Sequence, residues 1–417
     1  MTEHWRSLLD HVRTGDGITA ARIRAYSAIV LGLAVAILAG WIIAADGLID
    51  RNGKPIGTDF SNVYAAGTLA LQGRAPDAYE PALQHAAERA VFGRDVPFFG
   101  WHYPPFFFAV AALVATLPYA LGLLLWMVLS LPAYLAAMRA ILPRPDALLP
   151  AIAFPAVLVN AGHGQNGFFT AALLGGALQI MERRPALAGV LLGLLAYKPQ
   201  FGVLIPLALL AGRRWITIAT AAATVATSVL LSAAILGTEV WHAFFASTAF
   251  TQTIVLEQGA TGWEKIQSTF SAVRMWGGSI PLAYGMQTAL TLSLAASVIW
   301  LWRSAAAFEL KAAALAVACL LATPYVLDYD LVVLGVAIAF LVRHGLQRGF
   351  EPYEISLLAA AWVMPLFARS VMGASGIPLG LLTLAAVFAI ILARAAHDTD
   401  KSVVRTAPRD ISATPAA

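Results

Sequence analysis

Long apolar runs separated by short polar segments dominate the chain. They fall at 26–47, 104–119, 121–141, 147–160, 166–181, 186–211, 214–236, 284–302, 307–323, 327–342, 355–372 and 377–394. A helix crossing a hydrocarbon core needs about 20 apolar residues. The pattern therefore predicts an all-α polytopic membrane protein with about 12 transmembrane helices. Several runs are short and broken by proline or glycine. Two longer polar segments, 48–103 and 237–283, interrupt the series. Amphipathic patterns near 61–72 and 80–92 predict short helices lying on the membrane surface. Residues 1–25 read as a charged leading segment, 26–394 as the membrane domain, and the polar, small-residue stretch 395–417 as a disordered tail.

Composition agrees. Hydrophobic residues make up 59% of the 417 positions and charged residues 12%, against about 25% charged in soluble domains; mean hydropathy is +0.74. The net charge of +4 comes from Lys and Arg in short loops and tails, which is the positive-inside pattern and implies no nucleic-acid partner. Cys319 is the single cysteine, so no disulfide or Cys-based metal site forms within one chain. The leading segment carries Glu3, Arg6, Asp10, Arg13, Arg22 and Arg24. It is too long and too charged for a signal-peptide n-region, and no A-x-A-like site follows, so the first run reads as a retained helix.

Arg13, Arg22 and Arg24 place the N-terminus in the cytoplasm and 48–103 outside. Counting back from Lys401, Arg405 and Arg409 puts Arg343, Arg348, Arg303, Lys311, Arg213 and Arg214 inside, with 237–283 and 323–330 outside. Full crossings at both 104–119 and 121–141 would put Arg139, Arg144, Arg183 and Arg184 outside, against the rule. One net crossing over 104–141, with 186–211 as two short helices, returns them to the inside. Both arrangements stay open, and the second satisfies the rule.

Candidate chemistry gathers at the outer ends of the runs. Thr58-Asp59-Phe60-Ser61-Asn62 places a carboxylate just beyond the first run, where substrate and base can both lose water; the competing reading of Asp59 is a helix N-cap. Trp101-His102-Tyr103-Pro104-Pro105 leads back into the membrane. Its His102 and Tyr103 suit a sugar or an interfacial aromatic belt. Asn160-Ala161-Gly162-His163-Gly164-Gln165-Asn166 is a polar bend whose Gln165 and Asn166 suit sugar hydroxyls, unless it is an exposed turn. A lone histidine such as His163 is more often structural.

Lys198, beside the helix-breaking Pro199, is the deepest charge in the apolar sequence. It suits a lipid-carrier phosphate if it does not snorkel to the interface. Gln267, Ser268 and Arg274 offer amide, hydroxyl and guanidinium groups for sugar and phosphate, or ordinary loop polarity. Asp328 and Asp330 flank Tyr329 at a span end. They read as site carboxylates or as a solvated helix start, and two carboxylates alone do not make a metal site. The chain has no G-x-x-x-x-G-K-[ST], G-x-S-x-G, H-E-x-x-H or G-x-G-x-x-G motif. No cofactor and no metal are expected.

Together these segments resemble glycosyltransferase family 87, polyprenyl-phosphate-sugar-dependent, mannosyltransferase-like membrane proteins of bacteria. The run Thr58-Asp59-Phe60 to Tyr64-Ala65-Ala66-Gly67 and Leu71-Gln72-Gly73-Arg74-Ala75-Pro76-Asp77-Ala78-Tyr79 looks like its opening signature. Tyr103-Pro104-Pro105, Gly164-Gln165-Asn166, Lys198-Pro199-Gln200, Gln267-Ser268 and Thr323-Pro324-Tyr325 with Asp328-Tyr329-Asp330 follow in order, so the likeness spans about 25–395.

The resemblance implies a GT-C fold in the bacterial plasma membrane with its site facing the exterior. It implies a polyprenyl-phosphate sugar as donor and a lipid or glycan as acceptor. Asp59 would be the general base of an inverting transfer, and Lys198 and Arg274 would neutralise the departing phosphate. Members acting on inositol lipids often carry histidines where this chain has Asp328-Tyr329-Asp330, so donor sugar and acceptor do not carry over. The alternative is a transporter or flippase of lipid-linked sugars. That would favour inverted repeats and polar groups at mid-membrane, and the sequence has no convincing repeat. An inactive relative with a binding role is a third reading, decided by whether Asp59 is essential.

Overall fold

The computed structural model describes residues 3–406, with side chains for 6–7 and 9–398. Among the described residues the chain is helical, with no strand and three isolated β-bridges. Helix α1 (Glu3–Thr14) precedes α2 (Ala20–Ile43). At 24 residues α2 spans a bilayer, and only 6% of its apolar window is buried, so it stands against lipid.

The first outer loop folds into α3 (Thr58–Leu71) and α4 (Pro81–Phe92). Both helices match the amphipathic patterns, but α3 does not lie on the surface as expected. Phe60–Val63, Ala65–Gly67 and Leu69 are buried against α4 and the helices that follow. Gly67 lies so close to α5 (Phe108–Ala115) that a Cβ there would sit 2.1 Å from the Ala111 carbonyl oxygen. Small residues let helix backbones approach in this way, and α3 becomes a wedge inside the bundle.

The apolar stretch from Pro105 to Ala115 is about 16 Å long, roughly half a hydrocarbon core. Next, α6 (Tyr119–Ile141) is long enough to span, so the geometry agrees with one crossing over 104–141. A series of short helices follows: α7 (Leu148–Ile152), α8 (Pro155–His163), α9 (Gly167–Ile180), α10 (Pro185–Leu194) and α11 (Ile205–Ala211). The run 186–211 is indeed two short helices, parted at Lys198-Pro199. A second lipid-facing helix, α12 (Trp215–Leu236), leads to α13 (Glu239–Phe250), a π-helical turn at Thr251–Glu257 and α14 (Thr269–Met275). The chain ends with α15 (Ile280–Arg303), α16 (Phe308–Leu321), α17 (Val332–Arg348), α18 (Glu354–Val363), α19 (Ala368–Ser375) and α20 (Leu379–Thr406).

Among the described residues, six helices are long and apolar enough to cross a membrane. The number is eight if the bent pairs Pro145–Ile152 with Pro155–His163 and Glu354–Leu366 with Ala368–Ser375 each make one crossing. The expected twelve are not reached. Prolines at 105, 155 and 199 begin new helices inside the apolar runs. The short helices of this region, of 14 residues or fewer, reach about 21 Å at most. Helix α20 also runs past 395 to Thr406, so the expected disordered tail is helical to that point, and 407–417 lie outside the described residues.

The core is the hairpin of α16 and α17, ringed by α6, α8, α9, α15, α18 and α20. Alanines 312, 313, 314, 316 and 318 of α16 are fully buried, a seam of small side chains that permits close packing. The α16–α17 turn carries Thr323–Asp330 to the place where the polar segments meet.

Candidate functional site

Three helix ends converge: the start of α3, the break between α8 and α9, and the start of α17. Gly57, in the left-handed region at φ 72°, turns the chain into α3, and no side chain caps that end. Asp59 is thus the second residue of the helix and not its cap, in the first turn, where the helix dipole favours an anion.

Its carboxylate is held from the α8–α9 break. Gln165 Nε2 donates to Asp59 Oδ2 at 3.1 Å. Gln165 Oε1 accepts from the Tyr103 hydroxyl at 3.0 Å and the Asn166 amide at 2.7 Å. The break itself is clipped by Asn160, which donates to the Gln165 carbonyl and accepts from Gly167 N, each at 2.9 Å. Gly164, at φ 61°, ends α8, and a Cβ there would come within 2.8 Å of the Phe60 side chain, so only glycine brings the break against α3.

His163 joins this group, although its sequence context marks it only as a polar bend. Its Nδ1 lies 2.8 Å from Thr58 Oγ1 and 3.9 Å from Asp59 Oδ1. The side chains of Asp59 and His163 are 17% and 20% exposed, whereas Gln165, Asn160 and Asn166 are buried. Among the described residues Oδ1 accepts no hydrogen bond.

Asn166 is fully buried, and neither its Oδ1 nor its Nδ2 has a partner. Tyr103 is buried between Trp101 and Phe107. His102 Nδ1 lies 2.8 Å from Thr251 Oγ1 on the π-helical turn. Burial pushes its imidazole down to about 4, against a weaker opposing pull from Asp59, and it is neutral at physiological pH.

Lys198 is neither snorkelling nor free. Its Nζ lies 2.6 Å from Asp330 Oδ1, with the two residues 4% and 1% exposed. Asp330 Oδ2 accepts from Leu327 N at 3.0 Å, so the pair ties the α10–α11 break to the start of α17. Asp328 is buried and accepts from Tyr329 N at 2.9 Å. The Tyr329 ring lies between the Lys198 ammonium, 5.4 Å from its centroid, and His163, 5.7 Å away.

The second outer loop has structural duties. Ser268 is the N-cap of α14, accepting from Ser271 N at 3.1 Å. Arg274 donates to the carbonyls of Gly278 at 2.7 Å and Glu257 at 3.3 Å and lies over Trp263. Gln267 donates to the Glu264 carbonyl at 2.9 Å, while its Oε1 is buried without a partner.

Glu88 is a feature that the sequence pattern hides. It is fully buried on α4 and accepts from Phe99 N at 3.0 Å, anchoring the segment that carries His102 and Tyr103. Burial raises its carboxyl to about 7, partly opposed by the Phe99 and Gln84 hydrogen bonds. Among the described residues no cluster of three or more His, Cys, Asp or Glu side chains could hold a metal ion.

Residues 101–324 match glycosyltransferase family 87. The match takes in His102, Tyr103, Gln165, Asn166, Lys198, Gln267, Ser268 and Arg274 and leaves Asp59, Asp328 and Asp330 outside, so the place of Asp59 rests on the geometry. No curated protein and no solved structure matches the chain. The matched stretch is more than half of the chain and lies within a body of membrane-spanning helices, and the chain belongs to glycosyltransferase family 87, a family of membrane glycosyltransferases.

Proposed function

We propose that this glycosyltransferase has a GT-C fold and works at the outer face of a bacterial plasma membrane. It would move a sugar, with mannose the expected one, from a polyprenyl phosphate to a hydroxyl of a lipid or glycan. The observation that carries this reading is the Asp59 carboxylate, partly exposed, fixed through Oδ2 by Gln165 at 3.1 Å and, among the described residues, accepting no hydrogen bond at Oδ1. A base needs that combination of a fixed direction and a reachable lone pair.

In the step, Asp59 Oδ1 takes the acceptor hydroxyl proton as that oxygen attacks the anomeric carbon. The bond from that carbon to the phosphate oxygen breaks on the opposite face, and polyprenyl phosphate leaves with the electron pair. Configuration inverts, so a β-mannosyl donor yields an α-mannoside. Asn166, Tyr103, neutral His102 and Gln267 Oε1 supply polar groups suited to sugar hydroxyls. The absence of a convincing inverted repeat, with most polar motifs at the outer ends of the apolar runs, favours transfer over passage through the protein.

The test is transfer from synthetic polyprenyl-phosphate mannose by purified protein, using a mixed membrane-lipid extract as acceptor. Asp59→Asn is expected to lose at least about 100-fold, the scale of general-base catalysis, while remaining folded. Equal activity in the variant would remove Asp59 from the mechanism and move attention to Asp328.

A further inference from the structure

Of the two cations that the resemblance assigns to the donor phosphate, Lys198 is neutralised by Asp330, and Arg274 is held against the loop by two backbone carbonyls, with its Nε buried and unmatched. The leaving group still needs positive charge. A sugar phosphodiester carries one negative charge, and the phosphomonoester it releases carries about 1.5 to 2 at neutral pH. We propose that Lys265 and Arg369 form the phosphate-binding pair of this site and take the phosphate of the lipid-linked donor. This rests on the glycosyl-transfer reading above.

Topology places Lys265. Ile266 and Leu327 form an antiparallel bridge, extended by Gln267 N donating to the Val326 carbonyl at 2.8 Å. The bridge joins the end of the Trp263–Lys265 turn to the start of the Asp328–Leu331 turn, which brings Lys265 within electrostatic reach of Asp328. Lys265 is half-buried, and among the described residues its ammonium makes no hydrogen bond or ion pair.

Arg369 arrives from α19, which packs on the turn Trp263–Lys265. Its contact with Glu264 is 3.9 Å long, with side chains 48% and 32% exposed, and exposed pairs of that kind contribute little. Asp328 lies within electrostatic reach of Lys265, Arg369, His163 and Asp59, so both cations share the field of the base.

Charge builds on the phosphate as the glycosidic bond breaks, so these cations bind the departing group more strongly than the donor. Their loss should lower kcat more than it raises the donor KM. Lys265→Met and Arg369→Met are each compared with wild type, with Lys265→Arg as the conservative variant and Asp59→Asn as the inactive one. The readouts are transfer kinetics and direct binding of polyprenyl phosphate in detergent.

Each methionine variant is expected to bind polyprenyl phosphate about 10–100-fold more weakly, the scale of one charge-assisted contact. Lys265→Arg should regain most of the affinity, and Asp59→Asn, which removes a negative charge from the site, should bind at least as tightly as wild type. Unchanged affinity in both methionine variants, with active wild type, overturns the pair and leaves the transfer reading standing. Wild type that neither binds polyprenyl phosphate nor transfers sugar from it overturns both. Phosphatidate or inorganic phosphate bound as tightly as polyprenyl phosphate overturns the assignment to the donor.

Discussion

Glu88 shows how one buried side chain sets a condition on the site without touching substrate. Its carboxyl titrates near 7 in the fold because burial disfavours the anion, against an ordinary value of 4.5. Between those values the folded chain keeps a proton that the unfolded chain has released. Stability therefore falls as pH rises through that window, by about 3 kcal/mol in all. In Glu88→Gln that dependence is absent. The thermal midpoint of the variant relative to wild type is expected to climb from pH 5 to 7 and then level off. A difference that stays flat across that range would show that Glu88 is ordinary in the fold. The segment at stake is the one that brings Tyr103 to Gln165, so a loosened Glu88–Phe99 contact reaches Asp59 through two hydrogen bonds.

Between elements, the decisive contact is α3 against α5. Gly67→Ala puts a methyl group onto the Ala111 carbonyl, and such overpacking costs about 1–3 kcal/mol. Thermal unfolding in detergent is expected to show that loss, whereas Gly32→Ala on α2, with nothing within 4 Å, should cost nothing and gain up to about 1 kcal/mol. Equal midpoints for the two variants would mean that α3 and α5 are not in tight contact.

The same contact explains what the sequence conceals. The pattern over 61–72 reveals a helix, but the small residues Ala65, Ala66 and Gly67 say nothing about which neighbour they admit, and a buried wedge reads as a surface helix. Apolar run length likewise overstates the span count, because a run cut by proline keeps its hydropathy and loses its reach. Asp59, Gln165, Asn166 and Tyr103 are legible as polar residues at the ends of apolar runs, and the fold brings them together. The partner of Lys198 is not legible, since Asp330 lies 132 residues away. Ser268 and Arg274 carry site-like chemistry in sequence and spend it on a cap and a loop. His163 is marked only by the glycines on either side of it.

Across the whole molecule, the Lys198–Asp330 pair joins the middle of the chain to its central hairpin. Removing one member of a buried pair leaves a lone charge and costs about 3–5 kcal/mol. Lys198→Met is expected to lower stability by that amount, and Lys198→Met with Asp330→Asn by less. Unfolding measurements showing the double variant to be the weaker would mean that the lone Asp330 charge is not what destabilises Lys198→Met.

Asn166 gives the molecule a different asymmetry. An amide buried with both polar atoms unmatched is a cost already incurred in folding. A ligand group that reaches it, once the α8–α9 break gives way, relieves that cost. The empty protein is therefore the more frustrated of its two states, and a matching sugar would register as added heat resistance before any bond is made or broken.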